Sequence, residues 1–187
     1  MKEKSNKIIK EILDLLKSAI ISIILVVLLT QFVIKPIQID GQSMQPTLLD
    51  EQRGFSNILA HSLTDIKRFE IVIIYDEVDD DYYVKRVVGL ENEVIEVKDD
   101  VLYINGNAVE QPFLDIDYIN QVTNNQSVAF TNDFGPVKIR DGYVFVMGDN
   151  RINSTDSRMR GPYKIDNIIS KHIYILFPFD EMRFYYK

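Results

Sequence analysis

Residues 71–106, IVIIYDEVDDDYYVKRVVGLENEVIEVKDDVLYING, carry four short apolar runs separated by polar, turn-forming stretches. Ile71–Tyr75 is unbroken and rich in β-branched side chains, which predicts a strand buried on both faces. Tyr82–Val88, Val94–Val97 and Val101–Ile104 read as further strands, and Asn105-Gly106 is a hairpin-turn signal. Upstream, Ile37-Gln38-Ile39-Asp40 alternates as a half-buried strand does; downstream, Tyr143–Met147 and His172–Phe177 repeat the theme. The polar segment from Phe113 to Ile139, with Thr123-Asn124-Asn125-Gln126 inside it, reads as a surface excursion or small subdomain. Helix is expected at the N-terminus and over Ser56–His61 only. The expected fold class is therefore mostly β: an N-terminal transmembrane helix, then an antiparallel sheet or open barrel with a small β-rich insertion over about 91–140.

The membrane helix is read from residues 18–34, SAIISIILVVLLTQFVI, which hold no charge and are closed by Lys17 and Lys35. That is the short end of what crosses a hydrocarbon core. Ile12, Leu13, Leu15 and Leu16 extend the apolar character upstream, and Pro36 is a natural stop. A helix packed on the surface of a soluble domain would carry a polar stripe, and a cleavable leader would be followed by a small-x-small site; Gln31-Phe32-Val33-Ile34-Lys35-Pro36 is bulky throughout. Residues 1–17 carry five lysines against Glu3, Glu11 and Asp14, a net charge of +2, whereas the remainder is net −9. The positive-inside rule then leaves 1–17 in the cytoplasm and places 35–187 outside as a single-pass, cell-membrane protein.

Composition excludes several functions. With 21 Lys and Arg against 28 Asp and Glu, the chain lacks the basic excess that a nucleic-acid binder needs. It has no cysteine, so thiol catalysis and thiolate metal sites are out, and two histidines, His61 and His172, are too few for a His-rich metal centre. No metal or cofactor is expected.

Three segments carry groups fit for chemistry. Gly41-Gln42-Ser43-Met44-Gln45-Pro46-Thr47 follows a strand and holds a serine among residues that build rigid turns. Backbone N–H groups in such a turn suit an oxyanion; alone, an ordinary turn explains it better. In Tyr83-Val84-Lys85-Arg86-Val87-Val88-Gly89, strand alternation puts Lys85 between Tyr83 and Val87 on one face. If that face is buried, desolvation lowers the lysine pKa and makes it a base for a serine hydroxyl; an exposed Lys-Arg pair on an edge strand is the plainer reading. Gly148–Arg158 has a single apolar side chain, Ile152. Asp149 or Asp156 is placed to pair with Arg151 or Arg158, and Ser154 to orient an amine.

Together and in this order, the three segments resemble the signature boxes of the type I signal peptidases, in the single-span form of Gram-positive bacteria. One such match carries little; three in order after an N-terminal anchor are specific. The resemblance implies Ser43 as acyl-forming nucleophile, Lys85 as general base and Ser154 as the hydroxyl that orients the lysine. Asp149, Arg151, Asp156 and Arg158 would brace the loop behind the site. With Gly41 two residues before the nucleophile, the Ser43 backbone N–H would be the main oxyanion donor. Substrates would be secretory precursors cut after small residues at −1 and −3, with Ile39, Leu48 and Val84 lining the pockets beside the dyad. An apolar face of the domain would touch the lipid bilayer. Phe69-Glu70 stands where the family often has Gly-Asp, and Glu91-Asn92-Glu93 where it often has Pro-Gly-Asp.

Other readings fit less well. A self-cleaving Ser-Lys repressor would carry a DNA-binding module where this chain has an apolar anchor. A His-assisted protease would need His61 or His172 in a triad-like segment, and neither lies in one. A membrane-tethered binding module has no use for both Ser43 and Lys85.

Overall fold

The computed structural model describes residues 2–123 and 128–186, with side chains from residue 7 onward. The first element, α1 (Lys2–Phe32), is a single helix of 31 residues. It begins far upstream of the apolar run because no helix breaker lies between Lys2 and Phe32 and Lys, Glu, Leu and Ile all support helix. It stops two residues short of the expected 34, because Ile34 is already paired in β1 (Ile34–Gln38) with Asn57 of β2 (Arg53–Asn57). Lys35, preceding Pro36, is held in extended backbone. The stretch Lys7–Phe32 is long and apolar enough to cross a membrane, and the body of the protein covers none of it.

The remaining strands are β3 (Ile71–Asp76), β4 (Asp81–Gly89), β5 (Val94–Lys98), β6 (Val101–Ile104), β7 (Asn107–Ala108), β8 (Phe134–Lys138), β9 (Tyr143–Met147), β10 (Tyr163–Lys164), β11 (Ile168–Phe177) and β12 (Arg183–Tyr185). The short helices are α2 (Ile58–Leu63), α3 (Ile116–Val122) and α4 (Ser157–Arg160). Strands β1-β2-β11-β3-β4-β9-β10 form one sheet in that order, with β12 added on β11; β7-β6-β5-β8 form a second, smaller one. Every described pairing is antiparallel, as the strand pattern implies.

The Ile71–Tyr75 run is a central strand packed on both faces. Ile71 and Ile73 join Ile39, Met44, Leu48, Ile173 and Ile175 in one cluster, while Val72 and Ile74 join Val87, Val144, Val146 and Ile168 in another. Asn105 and Gly106 both take positive φ, 51° and 80°, the signature of the tight hairpin turn joining β6 to β7.

Several boundaries differ from expectation. β1 lies at Ile34–Gln38 rather than Ile37–Asp40, and α2 begins at Ile58 because Asn57 caps it, its side chain accepting from Ala60 N–H at 2.7 Å. Ser56 belongs to β2, a strand the sequence hides behind Gly54. That glycine is required by close approach: a Cβ there would lie 1.9 Å from the Tyr174 carbonyl oxygen on β11. β11 starts four residues before His172.

The polar excursion from Phe113 to Ile139 contains α3 and β8; residues 124–127 lie outside the described residues. The small sheet shares its core with the main one, since Ile95, Val97, Leu102 and Ile104 pack against Val88, Phe145 and Met147.

Candidate active site

Three pieces of chain meet at one end of the main sheet. The turn after β1 is closed by Glu51 N–H donating to Ile39 O at 2.9 Å and Gly41 N–H donating to Asp50 Oδ1 at 2.8 Å. Its Gln42–Gln45 stretch is a tight turn, with Gln45 N–H donating to Gln42 O at 3.2 Å. β4 supplies Lys85, directly opposite Val72 of β3. The loop after β9 supplies Gly148–Arg158.

These pieces bring Lys85 Nζ to 2.8 Å from Ser43 Oγ and 3.1 Å from the Val84 carbonyl oxygen. Lys85 is only 4% exposed. Burial lowers its pKa to about 8, although Asp156 and Asp149 pull the other way. The Tyr83 ring lies 5.3 Å from Nζ, held by its hydroxyl donating to Asp79 Oδ2 at 2.5 Å; that bond raises the phenol to about 12. Ser43, Lys85, Tyr83 and Ser154 line a cleft of about 450 Å³, with Ile152 and Met159 on its rim.

The loop after β9 grips the turn that carries Ser43. Asn150 N–H donates to Ser43 O and Asn150 Nδ2 to Gln42 O, both at 3.1 Å, and Thr47 Oγ1 donates to Asp149 Oδ2 at 2.5 Å. Gly148 sits in the gap: a Cβ there would lie 2.3 Å from both Ser154 Oγ and Ser43 O.

The bracing pairs are partly those expected. Asp156 takes both nitrogens of the Arg158 fork, Nε and Nη2, at 2.8 Å, and it accepts from Gly148 N–H at 3.0 Å. Burial alone would raise the Asp156 carboxyl, but the Arg158 bonds and charge outweigh it and hold it below the usual carboxylate range. Asp149 pairs with neither Arg151 nor Arg158. Its partner is Arg86, through Nε at 2.8 Å and Nη2 at 2.7 Å, and both side chains are wholly buried. The β4–β9 register, which sets Arg86 opposite Met147, decides this.

Arg151 is buried without a carboxylate contact among the described residues. Its Nε donates to Gly148 O at 3.0 Å and its Nη2 to Gln111 Oε1 at 2.6 Å, and burial lowers it to about 10.

Two other expectations require correction. The hydrogen bond from Ser154 to Lys85 is not made: Ser154 Oγ is buried without a partner among the described residues. The Val84 carbonyl takes that place on Nζ. Ile39 and Leu48, 3% and 0% exposed, are core residues around Met44 and do not line the cleft. Val84 packs against the same cluster and keeps some exposure. Proximity along the chain misleads here, because Val84 and Lys85 point to opposite faces of β4.

Neither histidine is near Ser43. His61 lines a separate cavity of about 520 Å³, and His172 Nε2 lies 3.3 Å from Glu70 Oε1, beside the buried Lys171–Glu70 pair. The departures at the two turns keep a glycine-like backbone, which Asn92 tolerates and the bulky Phe69 adopts at a cost. Phe69 and Asn92 take positive φ, 71° and 67°, where glycine would ordinarily stand. Glu70 and Glu93 supply the carboxylates, bonding Lys67 N–H at 3.0 Å and Leu90 N–H at 2.7 Å.

Arg86, Thr47, Asn150 and Gly148 are site residues to which sequence reasoning assigned no role. A charged Arg86 on a strand paired with one buried on both faces was the available signal, since it must find a buried carboxylate.

A signal peptidase I of Bacillus amyloliquefaciens is 40% identical over 183 residues, covering 97% of this chain and 96% of the relative. Signal peptidase I T of Bacillus subtilis (strain 168) is 42% identical over 168 residues, 89% of this chain and 86% of the relative. Among solved structures, a signal peptidase I from Enterococcus faecalis V583 aligns with a TM-score of 0.49 at 30% identity, over 58% of this chain and 97% of that one. The sequence model of the family described as signal peptidase, peptidase S26, matches residues 12–177, and the chain belongs to that family.

Proposed function

We propose that this protein removes N-terminal signal peptides from secretory precursors, through an acyl-enzyme formed on Ser43 with Lys85 as general base. The observation that carries the reading is the 2.8 Å contact between Ser43 Oγ and a lysine amine that burial has brought to about 8. The neutral amine accepts the hydroxyl proton as Oγ bonds to the scissile carbonyl carbon. Negative charge passes to the carbonyl oxygen, facing the Ser43 N–H. As the intermediate collapses, the C–N bond breaks and the lysine ammonium gives its proton to the leaving amine. Water then attacks the ester, with Lys85 taking and returning a proton once more.

The domain stands outside the membrane on α1, with residues 1–17 cytoplasmic, the apolar part of α1 from 18 to 32 within the bilayer, and the chain from β1 onward outside. Exposed Phe177, Phe179, Phe184 and Tyr186 on and beside β11 and β12 suit contact with lipid. Cleavage after small residues at −1 and −3 is part of this reading and rests on the family resemblance, since Ile39 and Leu48 are buried in the core and do not line the cleft.

The test is cleavage of a secretory precursor by the detergent-solubilised protein. Ser43→Ala and Lys85→Ala each abolish it in a folded enzyme, whereas the double variant His61→Gln/His172→Asn retains it. Asparagine is chosen at 172 because His172 has φ 60°. Loss of activity in the folded double variant would mean that histidine, not lysine, is the base.

A further inference from the structure

Asn150 does not line the cleft, yet it holds both peptide groups that flank Ser43. Its N–H donates to Ser43 O, and its Nδ2 donates to Gln42 O, each at 3.1 Å. The orientation of its amide follows from the partner, since only the NH₂ group can face a carbonyl oxygen. The residue is 4% exposed, and its Oδ1 is buried without a partner among the described residues. An orphaned buried oxygen costs stability, so stability alone does not account for this side chain.

The Gln42–Ser43 peptide links that side chain to the chemistry. A trans peptide is planar, and its C=O and N–H point in opposite directions. Anchoring the Gln42 oxygen on Asn150 therefore fixes the Ser43 N–H on the other side of the plane, where no described group accepts from it. With Ser43 O tied to the same residue, neither plane beside the nucleophile is free to rotate. We infer that Asn150 is a positioning residue for the oxyanion: it aims the Ser43 N–H at the place where the carbonyl oxygen gains charge. This rests on the assignment of Ser43 as nucleophile.

Rotation of that plane moves the amide hydrogen by about 1 Å, and misplacement on that scale costs on the order of 100-fold in rate. The full chain in detergent micelles is assayed with a precursor peptide and with a peptide aldehyde of the same sequence. Ser43 Oγ adds to the aldehyde carbon, its proton passes to Lys85, and the former carbonyl oxygen becomes the anion facing the N–H.

For Asn150→Ala, kcat falls about 100-fold while KM stays within about twofold and the pH midpoint does not move. Aldehyde affinity falls by the same factor as kcat/KM. Asn150→Asp keeps the shape but loses the Nδ2 donor, and it shows a like loss on the alkaline plateau, where Lys85 is neutral and the new charge cannot act through it. Should Asn150→Ala fail to fold, Asn150→Asp decides.

Undiminished aldehyde affinity, a KM effect alone, or full rate recovered at alkaline pH overturns the positioning role. Ser43→Ala is run alongside: cleavage that survives it overturns the nucleophile assignment. With Ser43→Ala inactive, unaffected Asn150 variants overturn only the aiming.

Discussion

Lys85→Met removes the base and, with it, a buried charge. Burial lowers the lysine from its usual 10.5 to about 8. That shift is a differential of about 3 kcal/mol against the charged form in the folded state. The folded pKa lies below the unfolded one, so between the two the unfolded chain binds more protons and stability rises with pH. The penalty is fully present below about pH 8 and falls to about 1 kcal/mol near pH 10. Methionine carries no such penalty, but it forfeits the contacts to Ser43 Oγ and the Val84 carbonyl, about 1 kcal/mol each.

The firm quantity is therefore a difference. The stability of Lys85→Met relative to the parent declines by about 2 kcal/mol between about pH 7 and pH 10. Urea unfolding followed by near-UV circular dichroism at the two pH values measures it. The same titration governs the rate: about a tenth of the lysine is neutral near pH 7, so kcat climbs roughly tenfold to a plateau above about pH 9. Lys85→Arg stays inactive throughout, because guanidinium is not deprotonated there. A stability difference independent of pH, or a rate midpoint near 6 to 7 that survives Lys85→Arg, would refute this account.

Asp149→Ala leaves the wholly buried Arg86 without its carboxylate and frees Thr47, so chemical denaturation should show a loss of about 3–5 kcal/mol, with activity lost as well. A precursor with Phe at −1 should be cut at least about 100-fold more slowly than one with Ala, because a bulky side chain clashes in a small pocket rather than merely losing contacts; equal rates by gel assay would contradict that. Protease added to cells stripped of their wall should digest residues after Lys35 and spare 1–17, as read by mass spectrometry of the protected fragment.

The parts legible in the sequence were those where local pattern and tertiary demand coincide. Ile71–Ile74 had to be central because none of its four side chains has a polar atom, and Asn105-Gly106 had to turn because both residues accept positive φ. Ser43 and Lys85 were singled out from boxes in order, and the structure sets them within hydrogen-bond distance. What escaped was decided by register. Nothing in the order of residues says that Arg86 faces Asp149; that follows from Arg86 lying opposite Met147 across the β4–β9 ladder. Ile39 and Leu48 are near Ser43 in sequence but buried in the core, and Val84 meets Lys85 through its carbonyl rather than its side chain. β2 escaped because its neighbours β1 and β11 hold it on both sides, more than its own composition does.

Val33 is the single residue between α1 and β1, and its carbonyl oxygen accepts from Ile58 N–H at 2.9 Å at the start of α2. From there a five-residue strand, about 17 Å long, leads straight into the turn that carries Ser43. The apolar helix and Ser43 are thus joined by paired backbone with no slack, so with α1 in a bilayer and Ser43 as the proposed nucleophile the enzyme works at a set height above the bilayer surface. It cannot lean up or down to meet a bond. A substrate must bring its bond to that height, which makes the length of polypeptide between the end of a precursor's apolar segment and its cut site a condition for cleavage, separate from the side chains at the cut.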